Sequence, residues 1–215
     1  MSGLFITLEG IDGSGKSTQA RMLADWLRSA SHHVVLTREP GGTKTGEAIR
    51  ELVLSHDHAM PPEAELFLYL ADRAAHVTEV VRPGVEAGSV VVCERFTDST
   101  LAYQGYGRGL DLGALRQLNA MATGGLTPNL TIVLDLPPEQ ARLDGGRLDR
   151  LESAGGEFSL RVAQGFRKLA RDEPQRMRLV DAVPEAGAVH AAIVLLVKEA
   201  LRGKTPGPEM PGEAP

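Results

Sequence analysis

The octapeptide at residues 10–17 constrains the fold more than any other feature of this 215-residue chain. It reads Gly-Ile-Asp-Gly-Ser-Gly-Lys-Ser, the spacing of a phosphate-binding loop, and it lies between an apolar run, Leu4 to Leu8, and a helical pattern, Thr18 to Ala30. A strand, this loop and a helix in that order bring backbone N–H groups and the positive end of the helix dipole to one point. The segment therefore predicts a binding site for nucleotide phosphates.

Within this loop, Lys16 is predicted to reach the β- and γ-phosphates and Ser17 to bind Mg²⁺. The residues predicted to bind ATP are Gly10, Ile11, Asp12, Gly13, Ser14, Gly15, Lys16, Ser17 and Thr18. GTPases, ATPase motors and small-molecule kinases all use such a loop, so the loop alone does not identify the acceptor of the phosphoryl group.

Short apolar runs alternate with helix-length stretches along the chain. The runs are Leu4 to Leu8, Val34 to Thr37, Ser89 to Cys93, Leu130 to Leu136 and Met177 to Val180. They are rich in Val, Ile and Leu without polar alternation, which is typical of parallel strands covered on both faces. The pattern predicts a three-layer α/β fold with a five-stranded parallel sheet flanked by helices.

Composition argues against binding to nucleic acid or membranes and favours a cytoplasmic protein. The net charge of -5 and the pI near 5.7 argue against the broad basic surface used to bind nucleic acid or a membrane surface. No run of about 18 apolar residues and no leader peptide is found, and one cysteine cannot form a disulfide within the chain, so a cytoplasmic protein is expected. The proline- and glycine-rich residues 203–215 are predicted to be a disordered tail after one domain, residues 1–202.

The segments that follow the strands separate the nucleotide-binding classes. The chain has no Asn-Lys-x-Asp guanine motif, and none of its predicted strands ends in the Asp-Glu pair of an ATPase motor. A kinase needs a second anion site facing the first, because phosphoryl transfer depends on in-line positioning and charge neutralisation. Arg38 and Arg95 follow the second and third strands, where the carboxyl ends of a parallel sheet border its binding crevice.

Five motifs together resemble bacterial thymidylate kinases, over roughly residues 3 to 200. They are the phosphate loop, Arg38 to Thr43, Ala71-Asp72-Arg73, Glu94 to Thr100, and Ala102-Tyr103-Gln104-Gly105. The resemblance implies a P-loop kinase fold with a short helical lid at about residues 137–156. It also implies that the protein phosphorylates dTMP to dTDP with ATP and Mg²⁺, for dTTP synthesis and DNA replication, and that it forms a homodimer through the apolar stripe from Phe67 to Val81.

The resemblance also assigns roles to single residues on the acceptor side. Arg95 would hold the acceptor phosphate with Arg38 close by, Arg73 would hydrogen-bond the thymine, and Tyr69, with Phe67 as the alternative, would stack on it. Asp12 would meet the deoxyribose 3′-hydroxyl and a cis peptide would join Glu39 to Pro40. The residues implied to bind the substrate are Asp12, Arg38, Tyr69, Arg73, Arg95, Ser99, Thr100, Tyr103 and Gln104.

Two features concern the transferring phosphoryl group. The phosphate loop carries Gly13-Ser14 rather than an arginine, which is typical of the bacterial type in which lid arginines supply positive charge. Arg142 and Arg147, with Arg150 also available, are the implied lid residues, and Lys16, Arg95, Arg147 and Arg142 form the implied catalytic set. Glu94 stands where the family usually has aspartate, so Ser17 and Glu94 are the expected metal-site residues.

Other readings remain open at the level of sequence. A kinase of the same architecture could accept adenylate, cytidylate or a broader set, and a non-enzymatic ATP-binding module would use Arg38 and Arg95 structurally. Asp135 is expected to be structural and Asp181 to border the adenine site. Surface ion pairs alone are expected for four helix arginines, Arg21, Arg28, Arg50 and Arg116.

Overall fold

The computed structural model describes residues 3–55, 60–141 and 156–204 of the chain. Five strands are present: β1 Leu4–Glu9, β2 Val34–Arg38, β3 Val90–Glu94, β4 Leu130–Asp135 and β5 Met177–Asp181. The helices are α1 Lys16–Ser29, α2 Lys44–Leu54, α3 Pro62–His76, α4 Arg82–Glu86, α5 Thr97–Thr100, α6 Leu112–Thr123, α7 Gly156–Asp172 and α8 Ala186–Glu199. Wider π-helical turns continue α3 at Val77–Val81, α5 at Leu101–Gly107 and α8 at Ala200–Lys204, and a short 3₁₀ turn lies at Pro138–Gln140.

The strands form one parallel sheet in the order β2-β3-β1-β4-β5. The predicted five-stranded parallel sheet is confirmed, and each end of every observed strand lies within one residue of the end of its predicted apolar run. In register, Leu8 of β1 and Arg38 of β2 both lie opposite Glu94 of β3, so the three strands end side by side. That shared carboxyl edge is where the loops with functional residues emerge.

Helices cover both faces of the sheet, because successive side chains of a strand point to opposite faces. Ile6 and Leu8 pack with α1 and α8, whereas Phe5 packs on the other face with the π-helical turn after α3. Phe158 and Phe166 of α7 join the apolar cluster of α3 and the turn after α5 on that second face. The result is the predicted three-layer arrangement, with both faces of the central strands removed from water.

Local features fix the acceptor-side loops. The side chain of Thr43 accepts a hydrogen bond from the Gly46 N–H at 2.9 Å and so caps α2 at its start. The peptide bond between Glu39 and Pro40 is cis, as the resemblance implied. Arg95 has a φ of 67°, the left-handed region that a residue with a side chain adopts at a cost of roughly 1 to 3 kcal/mol.

Two sequence predictions lie largely outside the described residues. Of the lid segment, residues 137–156, the described part is 137–141 and 156, and the predicted tail is described only at residues 203 and 204. The lid and the tail therefore stay predictions. Among the described helices, none is both long enough and apolar enough to cross a membrane.

Candidate active site

A cavity of about 800 Å³ opens at the carboxyl edge of the sheet. It brings together residues that the sequence places far apart. The predicted site residues that line it are Asp12, Gly13, Ser14, Gly15, Lys16, Ser17, Thr18, Arg38, Tyr69, Arg73, Glu94, Arg95, Ser99, Thr100, Tyr103 and Gln104. Gly10 and Ile11, at the start of the phosphate loop, are not part of the lining.

The phosphate loop has the tight path that its glycines predict. Gly10 has a φ of 139°, and a Cβ atom there would lie 2.7 Å from the Leu134 carbonyl oxygen, so only glycine fits between β1 and β4. The Lys16 ammonium donates to the Ile11 carbonyl at 2.7 Å, across the loop. Burial, and then the nearby Arg95 charge, lower the pKa of Lys16 to about 8. A bound polyphosphate would favour the charged amine again.

Ser17 and Glu94 form an oxygen-rich pair beside this loop. The Ser17 hydroxyl lies 2.8 Å and 3.0 Å from the two carboxylate oxygens of Glu94. Ser17 lies in the first turn of α1, which follows β1, and Glu94 ends β3; β1 and β3 are neighbours in the sheet. Hydroxyl and carboxylate oxygens are the ligands that Mg²⁺ takes beside substrate phosphates, so the pair fits the predicted metal site.

Arg95, Asp12 and Tyr103 form a compact group on the acceptor side of the loop. Arg95 makes an ion pair with Asp12, and the Tyr103 hydroxyl donates to the other Asp12 oxygen at 2.9 Å. The Arg95 guanidinium also lies 4.9 Å from the centre of the Tyr103 ring. Burial would raise the pKa of Asp12, but Arg95 and then Lys16 hold it below its usual range. Asp12 is therefore a carboxylate that faces two cations.

Glu9 supports the loop that carries Arg95, a role that was not predicted from the sequence. Its buried carboxyl group accepts from the Phe96 N–H at 2.7 Å and lies 2.6 Å from the Ser99 hydroxyl, so it holds the segment that follows Arg95. Burial, and then the negative charge of Asp98, raise the pKa of Glu9 to about 8. A signal existed in the sequence, since an acidic residue that ends a buried strand next to a phosphate loop needs a partner.

Arg73 is more deeply buried than a residue that only hydrogen-bonds a base would need to be. Its Nε donates to Glu39 at 2.8 Å, and its other bonds go to the Thr100 hydroxyl, the Asn119 side chain and the Phe96 carbonyl. Among the described residues these four bonds use four of the five guanidinium N–H groups and leave one on Nη2. Arg73 thus both lines the cavity and ties α3 to the acceptor loops.

A second buried contact extends the Arg73 network to the loop after β2. The Glu39 carboxylate that binds Arg73 also lies 2.9 Å from Nδ1 of His76, and Nε2 of His76 lies 2.6 Å from the Thr37 hydroxyl. His76 is fully buried. Neither the charged contact of Glu39 nor the role of His76 was predicted from the sequence, because both His76 contacts join residues more than 30 positions apart.

The two aromatic candidates on α3 differ in position. Tyr69 lines the cavity, whereas Phe67 is 60% exposed and is not part of the lining. Tyr69 and Arg73 are four residues apart and share one face of the helix. The geometry favours Tyr69 over Phe67 as the side chain that stacks on a base.

Gln104 completes this part of the cavity and is held by an acidic residue of α3. Its Nε2 donates to Oε1 of Glu65 at 2.7 Å, and the other Glu65 oxygen accepts from Arg108 at 3.3 Å. Glu65 and Gln104 are 1% and 2% exposed. Glu65 was not predicted from the sequence, because there it looks like an ordinary acidic residue in the first turn of a helix.

Two sequence expectations about the arginines on the outer side of the cavity were wrong. Arg38 pairs with Glu47 at 3.2 Å, and each side chain is about half exposed. Arg21 and Arg50 were each expected to make a surface ion pair only, and both expectations are wrong, because both side chains line the cavity. Arg50 donates to the Pro40 carbonyl at 3.0 Å, because the turn between β2 and α2 folds back over the helix face that carries it. Arg28 does form the expected surface pair, with Asp25.

The far end of the cavity is formed by the segment between β5 and α8. Residues 182–186 line it, and Gln19 of α1 donates to the Ala186 carbonyl at 2.9 Å. Asp181 is not part of the lining but accepts from the Val183 N–H at 3.0 Å and so shapes this segment.

Asp135 pairs with Arg167 at 2.8 Å, as expected of a structural residue. The lid arginines Arg142, Arg147 and Arg150 lie outside the described residues.

Comparisons with known proteins agree with this geometry. The sequence model of a family described as thymidylate kinase matches residues 8–193. A thymidylate kinase from Synechococcus is 52% identical over 206 residues, which cover 96% of this chain and 100% of that protein. One from Deinococcus radiodurans is 50% identical over 92% of this chain and 97% of its own length. The crystal structure of the Ehrlichia chaffeensis thymidylate kinase superposes with a TM-score of 0.78 at 33% identity and covers 92% of this chain and 100% of that one.

The resemblance seen in the motifs is thereby confirmed along nearly the whole chain. The family match spans both sides of the cavity, from the end of β1 to α8. Because this match includes the phosphate loop and every strand that borders the acceptor side, the chain belongs to the thymidylate kinase family.

Proposed function

We propose that this protein transfers the γ-phosphoryl group of ATP to the 5′-phosphate of dTMP and so forms dTDP and ADP. The observation that carries the proposal is that one cavity is lined by the phosphate loop, by Arg95 and by side chains of α3. A phosphate oxygen of dTMP attacks the γ-phosphorus, the bond to the β–γ bridging oxygen breaks, and ADP leaves. The attacking group is already an anion, so no general base is required, and catalysis depends on positioning and charge neutralisation.

The donor side is built for a triphosphate. The loop N–H groups and the start of α1 bind its phosphates, Lys16 neutralises the oxygens nearest the transfer, and the segment at residues 182–186 borders the adenine. Ser17 and Glu94 are the residues proposed to hold Mg²⁺, supported by their contact at the edge of the loop. The metal supplies positive charge to the oxygens of the polyphosphate.

The acceptor side provides a cationic end and an aromatic end. Arg95 and Arg38, joined by Arg50, are proposed to hold the dTMP phosphate, which competes with Asp12 and Glu47 for their guanidinium groups. Asp12 is then free to accept from the 3′-hydroxyl beside Tyr103. The thymine is proposed to bind between Tyr69, Arg73, Thr100 and Gln104. Ser99, next to Thr100 in α5, also lines this part of the cavity.

Further proposals rest on family membership. Arg142 and Arg147 of the lid are proposed to add positive charge at the transferring phosphoryl group, since the described loop carries no arginine between Gly10 and Ser17. A homodimer is proposed through the α3 region, supported by the exposed Phe67. A cytoplasmic location is proposed in which dTDP serves dTTP synthesis; the buried, reduced Cys93 is compatible with it.

The test is the release of ADP from ATP and Mg²⁺ with each acceptor added separately: dTMP, dUMP, dCMP, AMP and GMP. The Lys16→Ala variant is the blank, because it removes the cation that neutralises the reacting phosphates. The fastest Lys16-dependent release is expected with dTMP. If another nucleotide gives the fastest release, the phosphate loop keeps its role but the base site is wrong. If no acceptor stimulates release, the kinase proposal fails.

A further inference from the structure

The contact between Glu65 and Gln104 determines whether the oxygen or the NH₂ group of the Gln104 side chain is available to a base. We propose that Glu65 is a positioning residue that sets base specificity: it holds Gln104 so that the amide oxygen meets the pyrimidine, which selects a base with N–H at position 3. This inference rests on the proposed function, since it assumes that a pyrimidine nucleotide binds at the acceptor side.

The polarity of the contact follows from the chemistry of the two groups. A carboxylate only accepts hydrogen bonds, so the end of the Gln104 amide that lies 2.7 Å from Glu65 is its NH₂ group. The positive charge of Arg108, 3.3 Å from the second oxygen of Glu65, compensates the buried negative charge. One N–H of that NH₂ group remains on the side of Glu65, and the acceptor that Gln104 can offer to a ligand is its Oε1.

Burial makes this orientation difficult to reverse. Glu65 is 1% exposed and Gln104 is 2% exposed, so water has little access to either group. A flipped amide would place its oxygen against the carboxylate and leave its NH₂ group without that partner, a loss equivalent to roughly a factor of 10 or more in the population. The acceptor end is therefore fixed before any nucleotide binds.

Three residues of α3 present this chemistry on one face of the helix. Glu65, Tyr69 and Arg73 follow one another at intervals of four residues, a spacing that aligns side chains along an α-helix. Tyr69 and Arg73 line the cavity, and Glu65 reaches it through Gln104. Among the described residues, Arg73 has one N–H left on Nη2. A base stacked on Tyr69 would meet a donor from Arg73 and an acceptor from Gln104.

This donor and acceptor pair matches one class of pyrimidine. Thymine and uracil have a carbonyl oxygen at position 4 and an N–H at position 3, which complement Arg73 and the Gln104 oxygen. Cytosine carries an amino group and a lone pair at the same positions, so each contact would oppose two donors or two acceptors. A site built on buried hydrogen bonds rejects such a reversed pattern far more strongly than it rejects the loss of a methyl group.

The test compares dTMP with 5-methyl-2′-deoxycytidylate, which keeps the methyl group and reverses the pattern at positions 3 and 4. Wild-type protein is expected to prefer dTMP in kcat/KM by at least about 100-fold. Glu65→Gln keeps the shape of the side chain but accepts either orientation of Gln104, and it is expected to lower that preference about 10-fold or more, mainly through a higher KM for dTMP. Glu65→Asp remains an acceptor only and should keep the preference. Glu63→Gln, an exposed change in the same turn of α3, is the matched control.

The outcomes separate this inference from the proposed function. If the wild type does not phosphorylate dTMP, the proposed function itself fails. If it phosphorylates dTMP and the methylated cytidylate at similar rates, Gln104 is not held in the inferred orientation, whatever the variants do. If Glu65→Gln melts like the wild type and retains its KM for ATP, yet keeps the full preference for dTMP, Glu65 does not set specificity. A merely structural role for Glu65 predicts equal losses for both bases.

Discussion

Replacing Glu39 with alanine tests whether the buried network around Arg73 stabilises the acceptor side. The Glu39 and Arg73 side chains are each 2% exposed, and the Arg73 Nε lies 2.8 Å from the Glu39 carboxylate. Removing one member of a fully buried ion pair leaves the other charge uncompensated, which costs about 3 to 5 kcal/mol. The other three hydrogen bonds of Arg73 go to neutral oxygens, and none of these carries the charge of a carboxylate.

The expected loss can be measured as a change in the free energy of unfolding. For a chain of this size each kcal/mol lowers Tm by about 2 to 4 °C, so Glu39→Ala should melt about 6 to 20 °C lower. Urea unfolding followed by circular dichroism gives the free energy directly. Asp25→Ala is the matched control, since it breaks a pair with Arg28 whose side chains are 76% and 50% exposed, and it should cost less than about 1 kcal/mol.

A double variant sharpens the test. Glu39→Gln combined with Arg73→Gln removes both charges, so it is expected to cost less than Glu39→Ala with Arg73 intact, because no buried charge is left unpaired. If Glu39→Ala costs no more than Asp25→Ala, the buried pair of Glu39 and Arg73 does not stabilise the fold. In activity assays Glu39→Ala should raise the KM for dTMP and leave the KM for ATP near the wild-type value, since Glu39 supports only the acceptor side.

Four further predictions concern charge, metal, pH and assembly. Because burial lowers the pKa of Lys16 to about 8, its amine loses its proton above that pH, so the KM for ATP should rise above pH 8 while the KM for dTMP stays constant; a flat ATP profile would contradict this. Glu94→Ala should raise the Mg²⁺ concentration needed for half-maximal activity about 10-fold or more, and Glu94→Asp should remain active; a fully active Glu94→Ala or an inactive Glu94→Asp would exclude the metal role. The pKa of Glu9 is raised from an ordinary 4.5 to about 8, so its contribution to stability is complete below pH 4.5 and is lost as the pH rises to 8. The free energy of unfolding should therefore fall over that pH window, and Glu9→Gln should make the fall less steep. An unchanged slope in the variant would argue against this role. Phe67, 60% exposed, should lie in the dimer interface, so Phe67→Glu should convert a dimer to a monomer in light scattering; a wild type that is already monomeric would exclude the proposal.

The acceptor side shows how far single residues can be assigned from sequence. Arg38, Arg73 and Arg95 were identified by their motifs and all three line the cavity. Arg50 was misjudged, because a helix arginine with no motif around it is indistinguishable from a surface residue. Its position depends on a turn of the chain, and no local pattern encodes the path of that turn.

The sequence by itself determined the local elements and the kind of chemistry. Apolar runs without alternation specify buried parallel strands, and the glycine and lysine spacing at residues 10–17 specifies a phosphate loop, because both depend on interactions within a few residues of the chain. Only the tertiary structure decided which polar groups meet. Glu65 with Gln104, Glu39 with His76 and Glu9 with Ser99 are 37 to 90 positions apart, so the register of the sheet and the packing of α3 bring them together. Burial then gives these contacts their strength, since an unpaired charge or amide has no access to water at those positions.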